Sequence, residues 1–268
     1  MRGLPNNCAV IAVSQAGLRT ATHLVTRGFS AVLFGPQSLP AEYSPPAKVN
    51  WFDDGIHALT ERVFGAFDGL VYVMPMGIVV RAIAPHLRSK HTDPAVVTVD
   101  VGGRWAVATL SGHEGGANDL AACVARCLRC EPVVTTSTEA EKTLVAGIGC
   151  RKGVSAQDIE TAVITALDNA GCDPAELRLI ATVDAKEREE GLLAFCQKHK
   201  LPLRVISREE IREARINCEE SEFVRKTLGI GAVAVPCALL GGTKTQLITD
   251  RIACCQVTVA LARENCMW

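Results

Sequence analysis

Short aliphatic runs recur along the whole chain, each about one strand long and each followed by helical spacing or a glycine turn. AVIAVS at 9–14, AVLFG at 31–35, GLVYVM at 69–74, LVAGIGC at 144–150 and LRLIATV at 177–183 are nearly continuous in apolar character. A strand that alternates polar and apolar residues wets one face, whereas a continuous run is buried on both, as parallel strands under helices are. Composition agrees, with 48% hydrophobic residues but only 4% aromatic ones. The expected fold is therefore α/β: two α/β domains, each a mostly parallel or mixed sheet flanked by helices.

The 268 residues exceed what one ordinary core requires. The polar stretch STEAEK at 137–142 interrupts the pattern, and a fresh strand-turn-helix cycle begins after it. This predicts domains at 1–138 and 143–268. Within the first, SLPAEYSPPAKVNW reads as a Pro-rich irregular connection, and AVVTVD and RWAVATL flank Gly102-Gly103 as a β-hairpin. In the second, FVRKTLGIGAVAVPCALLGG reads as a helix that Pro236 and the glycines must interrupt, and strands at about 246–248 and 256–260 close the chain.

Several function classes are disfavoured. A formal net charge of -1 argues against a nucleic-acid surface. The longest apolar stretch, Gly69 to Pro85, contains Pro75 and Arg81 and falls short of the ~18 to 20 residues of a membrane span. The apolar run Ala9–Val13 is too brief for a signal peptide, so a cytoplasmic location is expected. The 12 cysteines are scattered through apolar segments and read as reduced thiols. Cys123, Cys127 and Cys130 share a helix face, but no second ligand pair at zinc spacing accompanies them, so no metal site is expected.

Three turns carry residue types suited to chemistry. In MPMGIVVR, Gly77 permits a tight turn and Arg81 follows one helical turn later, where free backbone amides favour an anion; an ordinary connection with a solvent-facing arginine is the alternative. In LSGHEGGANDLA, 110–121, Gly112, Gly115 and Gly116 let the backbone approach a ligand, and His113 between them has a side chain suited to acid–base work. Asn118 and Asp119 there would otherwise cap the next helix. In GIGCRKG, Arg151 and Lys152 offer charge to carboxylates, and Cys150 is either a nucleophile or a packed thiol. Neither a phosphate-binding P-loop nor a dinucleotide fingerprint is present.

These turns in this order, with FDGLVYVMPMGIVVRAIAPHL, DPAVVTVD, PVVTTST and SEFVRKTLGIGAVAVP, resemble the cobalt-precorrin-5A hydrolase family of anaerobic cobalamin biosynthesis. The last string also resembles a small stand-alone protein of the aerobic pathway. Relatives often carry a middle domain, which only EAEKT replaces here, and Val235 stands where many have a glutamate. The resemblance implies hydrolysis of a δ-lactone on a cobalt-containing tetrapyrrole, releasing acetaldehyde and giving cobalt-precorrin-5B. It implies a small-molecule tetrapyrrole as partner, with no cofactor because cobalt arrives with the substrate. Other pathway enzymes or a second copy of the chain are the candidate protein partners.

On this reading His113 is the general base, Asn118 orients it or binds a carboxylate, and the Gly115 and Gly116 amides stabilise the oxyanion. Gly77, Arg81, Ser111, Gly112, Cys150, Arg151 and Lys152 contact the substrate. The alternatives are a non-catalytic corrinoid carrier and an unrelated anion-binding α/β protein.

Overall fold

The computed structural model describes residues 5–39 and 45–265, so part of the Pro-rich connection expected at 38–51 lies outside the described residues. The chain divides into two compact units, residues 1–136 and 137–268.

The first unit runs β1 (Cys8–Ala12), α1 (Gln15–Thr26), β2 (Val32–Pro36), β3 (Val49–Phe52), α2 (Gly55–Phe64), β4 (Gly69–Val73) and α3 (Met76–Ile83). It continues with β5 (Ala95–Val99), β6 (Trp105–Leu110), α4 (Ala117–Leu128) and β7 (Glu131–Val133). The sheet order is β3-β2-β1-β4-β5-β6-β7. Strands β1 to β5 are parallel; β6 runs antiparallel to β5, and β7 parallel to β6.

The continuous runs β1, β4 and β5 are buried at every residue, as their composition required. Alternate strand residues face opposite helix layers. Val10, Ala12, Val71 and Val73 meet α1 and α4, whereas Ala9, Ile11, Leu70 and Tyr72 meet α2 and α3. Cys123, Cys127 and Cys130 pack beside the first of these layers, and among the described residues no group of three or more ligating side chains could hold a metal. VNW does not belong to an irregular connection: it enters the sheet as edge strand β3. Its Trp51 stays exposed, which an edge permits and a central strand would not.

The second unit runs α5 (Ser137–Ala140), β8 (Leu144–Cys150), α6 (Ala156–Ala170), β9 (Leu177–Val183), α7 (Glu190–Lys198) and β10 (Leu203–Ile206). Then come α8 (Arg208–Ala214), α9 (Glu222–Leu228), α10 (Ala234–Leu240), β11 (Thr245–Cys254) and β12 (Val257–Glu264). The sheet order is β10-β9-β8-β12-β11, with the first three parallel and the closing hairpin antiparallel. Helices α6 and α7 cover one face, and α8, α9 and α10 the other. The long helical string splits into α9 and α10. Pro236 sits in the first turn of α10, where its missing N–H breaks no helical bond. Among the described residues no helix is long and apolar enough to cross a membrane.

Candidate functional site

Strand register decides which of the three turns share an edge. Leu70 of β4 pairs with Val96 of β5, and Val96 pairs with Leu110 of β6. Val73, at the other end of β4, pairs with Val99, whose partner is Ala106. The turn after β4, with Gly77, and the turn after β6, with His113, therefore leave the sheet at opposite edges. A five-residue strand separates them by about 13 Å at ~3.3 Å per residue. The reversal at the Gly102-Gly103 hairpin is the cause.

The edge after β4 is simple. Gly77 does not form a tight turn; it lies inside the first turn of α3, behind Pro75 at the cap. Arg81 Nη1 donates back along its own helix to the Gly77 carbonyl at 3.0 Å. The guanidinium is exposed and leans toward the start of α3, as helical side chains do. Met76 is exposed beside it.

The edge after β6 is a knot of three segments. Ser111 takes a left-handed conformation at φ 57, and Gly116 at φ 89 caps α4. A Cβ on Gly115 would lie 2.3 Å from Ser111 Cβ, and one on Gly112 would lie 2.8 Å from a Thr136 methyl. The glycines are thus needed first by the loop itself. Ala117 and Asn118 amides donate to the Ser111 and Gly112 carbonyls. Gly115 and Gly116 are both buried within this turn. Asn118 is not the cap but lies in the first turn of α4. Its Nδ2 donates to Thr136 Oγ1 at 3.0 Å, while its buried Oδ1 has no partner. His113 is half-buried on the loop.

The residues RSKHTD at 88–93, which sequence reading passed over, brace this loop. Asp93 is buried, and its carboxylate accepts the Arg88 and Ser89 amides at 3.0 and 3.2 Å. Its carbonyl accepts Ser111 Oγ–H at 3.3 Å. Lys90 Nζ meets Glu114 Oε1 at 2.5 Å, and that contact, chiefly the lysine hydrogen bond, holds the carboxyl below its ordinary range. The signal was present: a run of basic and polar residues, including Arg88, Lys90 and His91, directly before a fully buried strand.

In the second unit GIGCRKG is mostly strand. Gly147 and Gly149 belong to β8 and face α10: a Cβ on Gly147 would lie 2.0 Å from the Ala234 carbonyl. Gly147 is glycine because a helix backbone lies against it, and Gly149 because the Thr258 hydroxyl and the Val233 side chain do, not because a loop bends there. Cys150 ends β8 half-buried, and burial pushes its thiol up to about 11 despite nearby Lys186. It is a neutral thiol at pH 7 and a poor nucleophile. Only residues 151–153 turn, with Gly153 at φ 79.

Arg151 and Lys152 are exposed on that turn. Ser155 caps α6 by accepting the Asp158 amide, and Glu189 precedes α7. Glu189 ties the two helix starts together, accepting the Gly153 amide at 2.5 Å and Lys186 Nζ at 3.1 Å. Burial pushes its carboxyl up, but those two donors outweigh it and hold it below the usual range. A cavity of about 580 Å³ lies between the two starts, lined by Lys152, Ser155, Arg188 and Glu189 among others. It sits beyond the carboxyl ends of parallel β8 and β9, the usual ligand position in such sheets.

Two family profiles match: Cobalamin synthesis G N-terminal over residues 58–139, and Cobalamin synthesis G C-terminus over residues 144–262. The chain is 25% identical to cobalt-precorrin-5A hydrolase of Salmonella typhimurium, covering 96% of this chain and 97% of that one. It is 23% identical to the enzyme of the same name from Priestia megaterium, covering 94% of each. These alignments run over 349 and 353 residues, more than this chain's 268, so those relatives carry extra residues amounting to a small domain. It is also 34% identical to Protein CobE of Sinorhizobium sp, over 47% of this chain and 83% of that protein.

Proposed function

The chain belongs to the cobalamin synthesis G family and is similar along nearly its whole length to hydrolases of cobalamin biosynthesis, and from that premise we propose that it opens the δ-lactone of cobalt-precorrin-5A. The products are acetaldehyde and cobalt-precorrin-5B. Cobalt enters as part of the substrate, and the chain supplies the acid–base and oxyanion chemistry.

The observation that carries the mechanism is the loop at Ser111–Gly116. His113 takes a proton from water as it adds to the lactone carbonyl. The amides of the Gly115–Gly116 turn donate to the developing oxyanion. Each such donor is worth about 3 kcal/mol in measured cases. Collapse of the adduct breaks the lactone C–O bond, leaving a carboxylate on the macrocycle and a hydroxyl on the methylated carbon, which a single C–C bond still ties to the macrocycle. Loss of the hydroxyl proton breaks the C–C bond to that carbon, acetaldehyde leaves, and the electron pair on the macrocycle takes up a proton. Asn118 Oδ1, buried without a partner, is available to orient His113 or accept from the substrate. Arg88, Lys90 and His91 rim the same edge and suit a substrate rich in carboxylates.

A carrier reading is favoured by the second unit, whose turn offers Arg151 and Lys152 for carboxylates but only a neutral thiol at Cys150. Anaerobic incubation with cobalt-precorrin-5A separates the two. Acetaldehyde with the matching mass loss supports hydrolysis; binding with no mass change supports the carrier; no binding removes both.

A further inference from the structure

The second unit holds another cavity, of about 230 Å³, at the ends of α8 and α9. Three arginines are among its lining residues, Arg212, Arg215 and Arg225, against one acid, Glu220. Its floor is apolar: Ile211 and Ile230 are 6% and 3% exposed, and Pro236 completes it. It lies on the face covered by α8, α9 and α10, not at the starts of α6 and α7.

The charges do not cancel. Glu220 is taken by Arg225. Neighbouring Glu219 is turned to Arg251, and Glu222 to Lys226. Arg212 uses its Nε–H on the Gly229 carbonyl at 3.4 Å, covering the carbonyl end of α9 while its two Nη groups remain. Arg215 ends α8 in the left-handed conformation, φ 47, and has no protein partner among the described residues. Glu209, Glu210 and Glu213, the acids on α8, do not line the cavity.

The lip of the cavity is also held. The Ser221 amide donates to the Gly231 carbonyl at 2.8 Å. Any side chain at Gly231 would meet Glu220 Oε1 at 2.5 Å.

We infer that this cavity binds a carboxylate carried on a short aliphatic arm, the acid held between Arg212 and Arg215 and the arm lying on Ile211, Ile230 and Pro236. The guanidinium fork suits a carboxylate, and the apolar floor favours an organic acid over phosphate. Two sources share that chemistry: a peripheral acetate or propionate of a tetrapyrrole, and a free dicarboxylic acid. The first source rests on the function proposed above, and the second does not.

The test is calorimetric titration of the full chain with two probes, uroporphyrin III and glutarate, each against wild type, R212K/R215K and R215E. Uroporphyrin III octamethyl ester, which has no free acid, is the control. Arg215→Glu loses no protein hydrogen bond, so its melting temperature should match wild type and keep the test valid even if Arg212 variants unfold.

An affinity for uroporphyrin III at least tenfold weaker in R215E, with the ester not bound, supports the macrocycle source. The same loss for glutarate alone supports the free acid. Equal affinity of wild type and R215E for both probes, or no binding of either probe to wild type, overturns the inference. Acetaldehyde release from cobalt-precorrin-5A, measured separately on wild type, reports whether the hydrolase reading itself has failed.

Discussion

The two glycine-rich segments, Ser111–Gly116 and Gly147–Gly153, look alike as strings and are used in different ways. In the first, the chain folds back on itself: Gly115 lies against Ser111, Gly112 against Thr136, and Gly116 takes a positive φ that few residues tolerate. A half-buried histidine is left on the loop, with the two glycines buried beneath it in sequence order. In the second, Gly147 and Gly149 are strand residues, the first pressed under α10 and the second against Thr258 and Val233, and the thiol that follows is neutral. Glycine marks a close approach in both cases. Whether the approaching group is the chain itself or a ligand depends on what else the segment presents.

The sharpest break of this comparison is His113→Ala against Cys150→Ala. Loss of a general base should lower turnover by about a hundredfold or more while substrate still binds. Cys150→Ala should leave turnover near wild type, and a loss as large as that of His113→Ala would return the thiol to the chemistry. Single-turnover acetaldehyde release measures both.

Next in size is Gly147→Ala. A methyl 2.0 Å from the Ala234 carbonyl forces α10 off the sheet, so urea unfolding should show a loss of about 1–3 kcal/mol or more, as overpacked cores do. Gly153→Ala meets nothing within 4 Å, and its positive φ alone should cost about 1 kcal/mol. Equal losses would mean that β8 and α10 are not pressed together as described.

A smaller effect is expected from acid. The Glu189 carboxyl is held below its ordinary value, so its contribution to stability is present above an unfolded pKa of ~4.3 and is lost as pH falls through the folded value. Glu189→Gln should therefore melt lower than wild type at neutral pH, with the gap closing in acid. A gap that widened in acid would reverse the assignment.

The smallest is Lys90→Ala. Its pair with Glu114 is solvent-exposed on the lysine side and is worth about 0–1 kcal/mol. Its melting temperature should barely move even if turnover changes.

Much of this was legible before any coordinates. Runs such as GLVYVM and LRLIATV announced buried strands because a strand covered on both faces admits a polar side chain only when it is paired, as Arg178 and Thr182 are. The Gly102-Gly103 hairpin was equally plain, and β5 and β6 pair across it. VNW was missed because a four-residue edge strand after Pro45 and Pro46 carries no burial pattern of its own: only Phe52 is buried. Asp93 was missed because its value lies in three partners, of which Ser111 is 18 residues away.

The type and order of most elements, though not of edge strand β3, follow from the chain alone, since helix and strand preferences are set by neighbours a few residues apart. The sequence also marked His113, Arg151 and Lys152 as chemistry waiting for a context. Only the tertiary structure decided that context. Register between strands is a long-range property, and one antiparallel pairing, β5 with β6, sends the His113 loop to the edge opposite Gly77 and Arg81. The same holds for Gly147, whose neighbour Ala234 lies far along the chain and is brought near only by the packing of α10 on β8.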